Sequence, residues 1–191
     1  VRGKRRTCNA NLLTKVTLRN GTTHFYPIKY YCNSIADSLE RLLQKQGFAD
    51  QCELWRTRQE PEGELADFYD GQLWKDFQTV NGKDLLKSPR NYGLMLNFDN
   101  FQPMKHRKDY YVGVFYLVIL NLPRSQRFKW ENVIILGIVR SLNHEPKNLN
   151  EFLKPAVKEL NALWIGVKIQ SAFSLIPLTF RAAIISTTSD L

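Results

Sequence analysis

Residues 92–99 read Tyr-Gly-Leu-Met-Leu-Asn-Phe-Asp, a mostly apolar run that closes on an acid. An apolar run of this length with an aromatic residue at each end predicts a buried strand over Tyr92–Phe98, with Asp99 at its exit. Downstream, Tyr110–Leu120 and Asn132–Val139 are two further β-rich runs. The links between the three are a basic loop (Lys105, His106, Arg107, Lys108) and a Pro- and Arg-containing segment over 121–130, and both suit antiparallel neighbours. Next, Leu149, Phe152, Leu153, Val157, Leu160, Leu163 and Trp164 recur at helical spacing, with Asn148 as the expected N-cap and Glu151 as its capping partner. Pro155 is expected in the first turn or at a kink. A final run, Phe180–Ser186, predicts a strand that reaches Asp190 through Thr187, Thr188 and Ser189. The order from residue 91 onward is β-β-β-α-β.

Upstream, residues 1–90 read as a small, basic α+β region. Lys15–Arg19 and Thr22–Tyr26 flank Asn20-Gly21, a pattern that predicts a β-hairpin with a type I′ turn. Ser34 and Asp37 open an apolar helical face of Ile35, Leu39, Leu42 and Leu43, so a helix is expected over 34–46, ending before Gly47. Trp55 and Trp74 are the expected packing anchors of the mixed stretch that follows.

Composition narrows the class. The chain has 191 residues, 43% of them hydrophobic, which is enough for a real core and excludes disorder as the main state. Its longest apolar stretch, Tyr110–Leu122, is about 13 residues against the ~20 of a membrane span, so a soluble protein without a membrane partner is expected. Three cysteines cannot pair completely, which points to free thiols in a reducing compartment. Cys8, His24, Cys32 and Cys52 could in principle hold zinc, but they include no Cys-x-x-Cys pair and their spacings fit no strong zinc pattern, so buried thiols and a hairpin histidine are the expected reading. Neither Gly-x-Ser-x-Gly nor a phosphate-binding Gly-rich loop occurs. The net charge is +9, and residues 1–36 carry seven cations and no acid. This balance favours a polyanionic partner; a nucleic-acid arm, a nuclear-import signal and a solvated tail all fit the run itself.

The strand order sets the chemistry to be expected. Three meandering strands followed by a helix and a fourth strand open the ribonuclease H-like fold, here an incomplete core over 91–191 behind the N-terminal region 1–90. In that arrangement the fourth strand lies parallel to the first, ~4.8 Å away, so Asp99 and Asp190 converge on one edge. Carboxylates that close repel unless a hard divalent cation, Mg²⁺ or Mn²⁺, neutralises them. Such ions activate a water or a 3′-hydroxyl and stabilise the leaving oxygen of a phosphodiester. The bland reading of an Asp after a strand is a turn or cap. Lys105, Arg107 and Lys108 in one loop, Arg124 and Arg127 in another, and Lys147 near the helix start are the candidate DNA-phosphate contacts, solvated loops being the alternative.

Ordered motifs along the chain carry a resemblance. Tyr30-Tyr31-Cys32, Cys52-Glu-Leu-Trp55-Arg56, Asp67-Phe-Tyr-Asp70-Gly71-Gln-Leu-Trp74, Leu96-Asn-Phe-Asp99-Asn-Phe-Gln-Pro103, Asn121-Leu-Pro123, Glu145-Pro-Lys147, Leu163-Trp164 and Thr188-Ser-Asp190 resemble the transposase of CACTA (En/Spm-type) DNA transposons. The resemblance implies a nuclear DDE/D recombinase that cleaves and transfers DNA strands with Mg²⁺ or Mn²⁺. In it Asp99 and Asp190 are the first two catalytic acids and metal ligands, DNA is the partner, and a homo-oligomer is left open. It also implies a Pro-Ala continuation, a Cys-x-x-Cys insertion and a third acid after Leu191, so the chain is expected to be a fragment that does not cleave DNA alone. A non-catalytic DNA-binding or protein-interaction remnant is the alternative.

Overall fold

The computed structural model describes residues 13–27, 30–59, 63–106, 109–142 and 149–189. The chain divides into two compact units, residues 1–30 and 31–191. The first contains an antiparallel hairpin of β1 (Leu13–Thr17) and β2 (Thr23–Pro27). Its loop differs from the type I′ expectation. The Leu18 N–H donates to the Thr22 carbonyl and the Gly21 N–H to the Leu18 carbonyl, both at 2.9 Å. Within the loop only Gly21 has a positive φ, 83°. This is a three-residue loop in which Gly21 supplies the left-handed bulge residue, and Asn20 has no left-handed role.

The second unit opens with β3 (Tyr31–Cys32), α1 (Ile35–Leu43) and α2 (Phe48–Glu53). Ser34 caps α1, its Oγ accepting the Asp37 N–H, and Ile35, Leu39, Leu42 and Leu43 are buried. Two 3-10 turns (Leu54–Thr57, Phe68–Asp70), α3 (Gln72–Asp76) and a small hairpin of β4 (Thr79–Val80) and β5 (Lys83–Asp84) follow. Then come β6 (Asn91–Phe101), β7 (Tyr110–Ile119), α4 (Arg124–Arg127), a 3-10 turn (Trp130–Asn132) and β8 (Ile134–Leu142). The chain ends with α5 (Asn150–Ile165), β9 (Val167–Ile169) and β10 (Leu178–Ser189).

Six of these strands form one sheet in the order β3-β8-β7-β6-β10-β9. β6, β7 and β8 are an antiparallel meander, whereas β10 runs parallel to β6 after the α5 crossover. Along one face Met95, Val118, Leu120, Ala183 and Ile185 pack on Tyr69, Trp74, Leu85 and Leu86. By strand alternation Leu94, Leu117 and Ala182 bury on the other face, the side of α1 and α5. The division drawn at 90/91 therefore crosses a continuous core: residues 68–86 cover the sheet that begins at Asn91.

α5 begins at Asn150 with Leu149 at its N-cap and no side-chain cap. Glu151 does not cap the helix but pairs with Lys154 in solvent, and Asn148 lies outside the described residues. The helix runs through Pro155, beyond its first turn. Its carboxylate at Glu159 accepts from Ser34 Oγ (2.9 Å) and from the backbone N–H groups of Ile35 (2.7 Å) and Ala36 (3.3 Å). One acid on α5 thus serves the exposed donors and positive dipole end of α1, tying the two helices together. Among the described residues no helix is long and apolar enough to cross a membrane.

The segment Asp67–Trp74 is the staple of the second face. Asp70, only 8% exposed, takes both Nη groups of Arg58 (2.7 and 3.1 Å) and the backbone N–H groups of Ala66 and Asp67 (2.9 and 2.8 Å). The Tyr69 hydroxyl donates to the Asn121 and Leu122 carbonyls, and burial pushes its pKa up to about 12. Asn121 in turn accepts the Gly93 N–H (2.8 Å) and donates to the Asn91 carbonyl (3.1 Å). The Arg58 hydrogen bonds, helped by the two backbone donors and opposed by burial, hold the Asp70 carboxyl below the usual carboxylate range. An acid with a depressed folded pKa stabilises fully above its unfolded value of about 3.9, and the contribution fades as pH falls through the folded value. Asp70→Asn is expected to cost roughly 1–3 kcal/mol at neutral pH and to flatten the loss of stability below about pH 4. Urea midpoints of both chains from pH 3 to 7 check this; parallel curves would contradict it.

Candidate metal and nucleic-acid site

Along the face of β6 that carries Met95, the next residues are Asn97 and Asp99, and here the apolar core gives way to polar side chains. Asn97 is 4% exposed. Its Nδ2 donates to the Met95 carbonyl (3.1 Å), and its Oδ1 accepts from Thr188 Oγ1 on β10. Asp99 is exposed. It lies within β6 rather than at its exit, because the ladder with β7 continues through Asp99↔Val114 to Phe101↔Val112.

The parallel ladder between β10 and β6 pairs Thr187 with Leu96, Thr188 with Asn97 and Ser189 with Phe98. Asp99 and Asp190 are the next residues in the two sequences; Asp190 itself lies outside the described residues. A cleft of about 200 Å³ opens at these carboxyl-terminal strand ends, lined by Asn97, Phe98, Asp99, Tyr116, Thr188 and Ser189. Its side-chain donors are all oxygens or amides, with one carboxyl group, that of Asp99. That donor set suits a hard cation and offers nothing to a soft one. Among the described residues no three His, Cys, Asp or Glu side chains gather around a common point. Cys32 is exposed and Cys52 buried, both as free thiols, and burial followed by the neighbouring Glu53 charge pushes the Cys52 pKa far up.

The basic candidates divide by burial. Lys105 sits exposed in the β6–β7 connection, and Arg124 is exposed at the start of α4. Arg107, Lys108 and Lys147 lie outside the described residues. Arg127 departs from the loop reading: it is 4% exposed, pairs with Asp67 (2.8 Å), donates from Nε to the Leu122 carbonyl (3.2 Å) and lies 5.2 Å from the Tyr69 ring centroid. A buried guanidinium needs such partners, and these hold it away from any phosphate. Asn97 and Thr188 fall inside the motifs quoted above, but their places at the cleft, like that of Tyr116, come from strand pairing and carry no site role legible in the sequence.

This mixed α/β unit, with a polar cleft at the ends of two parallel strands, matches the model of the transposase family tnp2 over residues 62–191, and the chain belongs to that family. The matched span includes the Asp67–Trp74 staple and the whole β6–β10 ladder. No curated protein and no solved structure matches the chain significantly.

Proposed function

We propose that this chain is the part of a CACTA (En/Spm-type) DNA transposase that carries two acids of a DDE/D site on a ribonuclease H-like sheet. The observation that supports the reading most is the parallel register in which Ser189 pairs with Phe98, each the residue immediately before an aspartate. Asp99 and Asp190 would hold Mg²⁺ or Mn²⁺, whose chemistry when bound is activation of a water or a 3′-hydroxyl and stabilisation of a leaving oxygen. The protein's share is placement. β6 carries Asp99, β10 ends at Ser189, the residue before Asp190 in the sequence, Thr188 and Ser189 add neutral oxygens to the cleft wall, and Tyr116 closes its β7 side. Lys105, Arg107, Lys108 and Arg124 would position DNA through its phosphates, with the work carried out in the nucleus.

The test is metal binding. Mn²⁺ added to the chain is expected to broaden the backbone NMR signals of residues 97–99 and 187–189 first, and Asp99→Ala and Asp190→Ala are each expected to abolish that effect. Broadening that is absent, or unchanged in both variants, would overturn the metal reading and favour a non-catalytic DNA-binding remnant.

A further inference from the structure

We propose that the groove between α1 and the Trp130–Asn132 turn binds an unpaired nucleotide of a DNA strand, with the Trp130 ring stacked on the base and Arg41 and Lys45 on the phosphates. The inference rests on the reading that this chain works on DNA and is independent of any metal. The groove has a volume of about 400 Å³. Arg41 and Lys45 line it from α1 and the residues just after it, Trp130 and Glu131 from the turn, and Ile134 and Ile135 from the start of β8. Trp130 is 85% exposed. A large apolar ring left in water is unfavourable, so its exposure marks a surface with a use. The turn that presents it is pinned. Asn132, itself buried, donates from Nδ2 to the Gln126 carbonyl (3.0 Å) and from its backbone N–H to the Lys129 carbonyl (2.9 Å), while Lys45 Nζ donates to the Glu131 carbonyl. A ring on a fixed turn is a preorganised stacking surface, and every nucleobase offers it a π-face.

Charge selects the occupant. Among the described residues that line the groove, Glu131 is the one acid, against Arg41 and Lys45. Arg41 donates from Nη2 to Ser38 Oγ (2.8 Å) and Lys45 gives one N–H to Glu131, so both cations keep further donors. Lys129, next to Trp130 in sequence, is exposed as well. An apolar protein segment laid on Trp130 would cover these cations without a counter-charge, whereas the phosphates beside a base supply one. Bases within a duplex are already stacked on both faces, so the ring favours an unpaired strand. Position points the same way, because Ile135, 46% exposed, pairs with Tyr116, which lines the cleft at Asp99 and pairs with Asn97. Two strand spacings, roughly 10 Å, separate Ile135 on β8 from Asn97 on β6. A strand held in the cleft covers that span with about three nucleotides at ~3.4 Å each.

The test compares a single-stranded oligothymidylate with a blunt duplex, by fluorescence anisotropy over a salt series. Trp130 and Arg41 are exposed, so replacing them does not open the core. Trp130→Ala is expected to weaken single-strand binding about tenfold or more, the range for losing one base–aromatic stack, with an unchanged salt slope and an unchanged duplex affinity. Trp130→Phe is expected to retain most of the binding, since a π-face remains. Arg41→Gln combined with Lys45→Gln is expected to lower the single-strand salt slope by about 1.4, at about 0.7 per phosphate contact. Single-strand affinity that is the same in the parent and in Trp130→Ala, while the parent still binds duplex, would overturn the site and leave the DNA reading intact. A Trp130→Ala change that dissociates a dimer of the parent chain in sedimentation, with single-strand affinity unaltered, would overturn it in favour of a protein contact. A parent chain that binds neither oligonucleotide would overturn the DNA reading and the site together.

Discussion

A Trp74→Ala chain is expected to unfold about 3–5 kcal/mol more easily than the parent, the range for deleting a fully buried aromatic side chain. Trp74 has no exposed surface, and its indole meets Trp55 and Tyr69 with ring centroids at 5.1 Å and Phe68 at 6.1 Å. It also lies directly on the sheet at Gly93, where an added Cβ would sit 2.8 Å from the indole and 2.9 Å from the Ile185 side chain. A glycine has no side chain to move into the space that the indole vacates, so the cavity persists and its cost adds to the lost burial. A domain of this size has only about 5–15 kcal/mol of net stability, so the change removes a large share of it. Urea unfolding followed by circular dichroism should show a lower midpoint at an unchanged slope. A loss below about 1 kcal/mol would mean that the face formed by residues 68–86 can collapse onto β6 without its anchor.

What the sequence made legible follows the range of the forces involved. The apolar runs that became β6, β7, β8 and β10 are local patterns, and each strand formed close to where its run lies. Their ends moved because pairing, not polarity, sets them: Asp99–Phe101 are strand because Val112–Val114 stand opposite. β9, with three residues, is too short to leave a period. Trp55 and Trp74 were recognisable as anchors, yet the surface they anchor to begins at Asn91, which is why residues 31–90 looked separate. Arg124 and Arg127 show the limit most directly. The two are alike in type and share one short helix, and partners such as Asp67, 60 residues away in sequence, and the Tyr69 ring accompany the burial of Arg127 alone. The same holds for Asn97 and Thr188, which meet across 91 residues. Glu159 lies on a helix whose apolar spacing was legible, but its service to the start of α1 belongs to helix packing and not to its own helix.

Duplex DNA affinity is expected to fall about 100-fold between 50 and 200 mM salt, with little dependence on sequence. The argument begins with the number of cations that can reach phosphates. Lys105 and Arg124 are exposed, Arg107 and Lys108 extend the Lys105 loop in sequence, and Arg127 is removed from the count by its burial against Asp67. Four contacts give a slope near −3.6 in a plot of log affinity against log salt, since each contact contributes about −0.9. Over a fourfold rise in salt that slope amounts to roughly two decades, and the arm with Arg2, Lys4, Arg5 and Arg6 can only steepen it. Replacing Lys105, Arg107 and Lys108 together by alanine is therefore expected to reduce the slope by about 3 and to weaken binding equally on unrelated sequences. Fluorescence anisotropy with two duplexes of different sequence at four salt concentrations makes the measurement. A flat salt dependence, or a slope unchanged in the triple variant, would show that this loop does not touch the phosphates. A slope that changes on only one duplex would show that it reads bases instead.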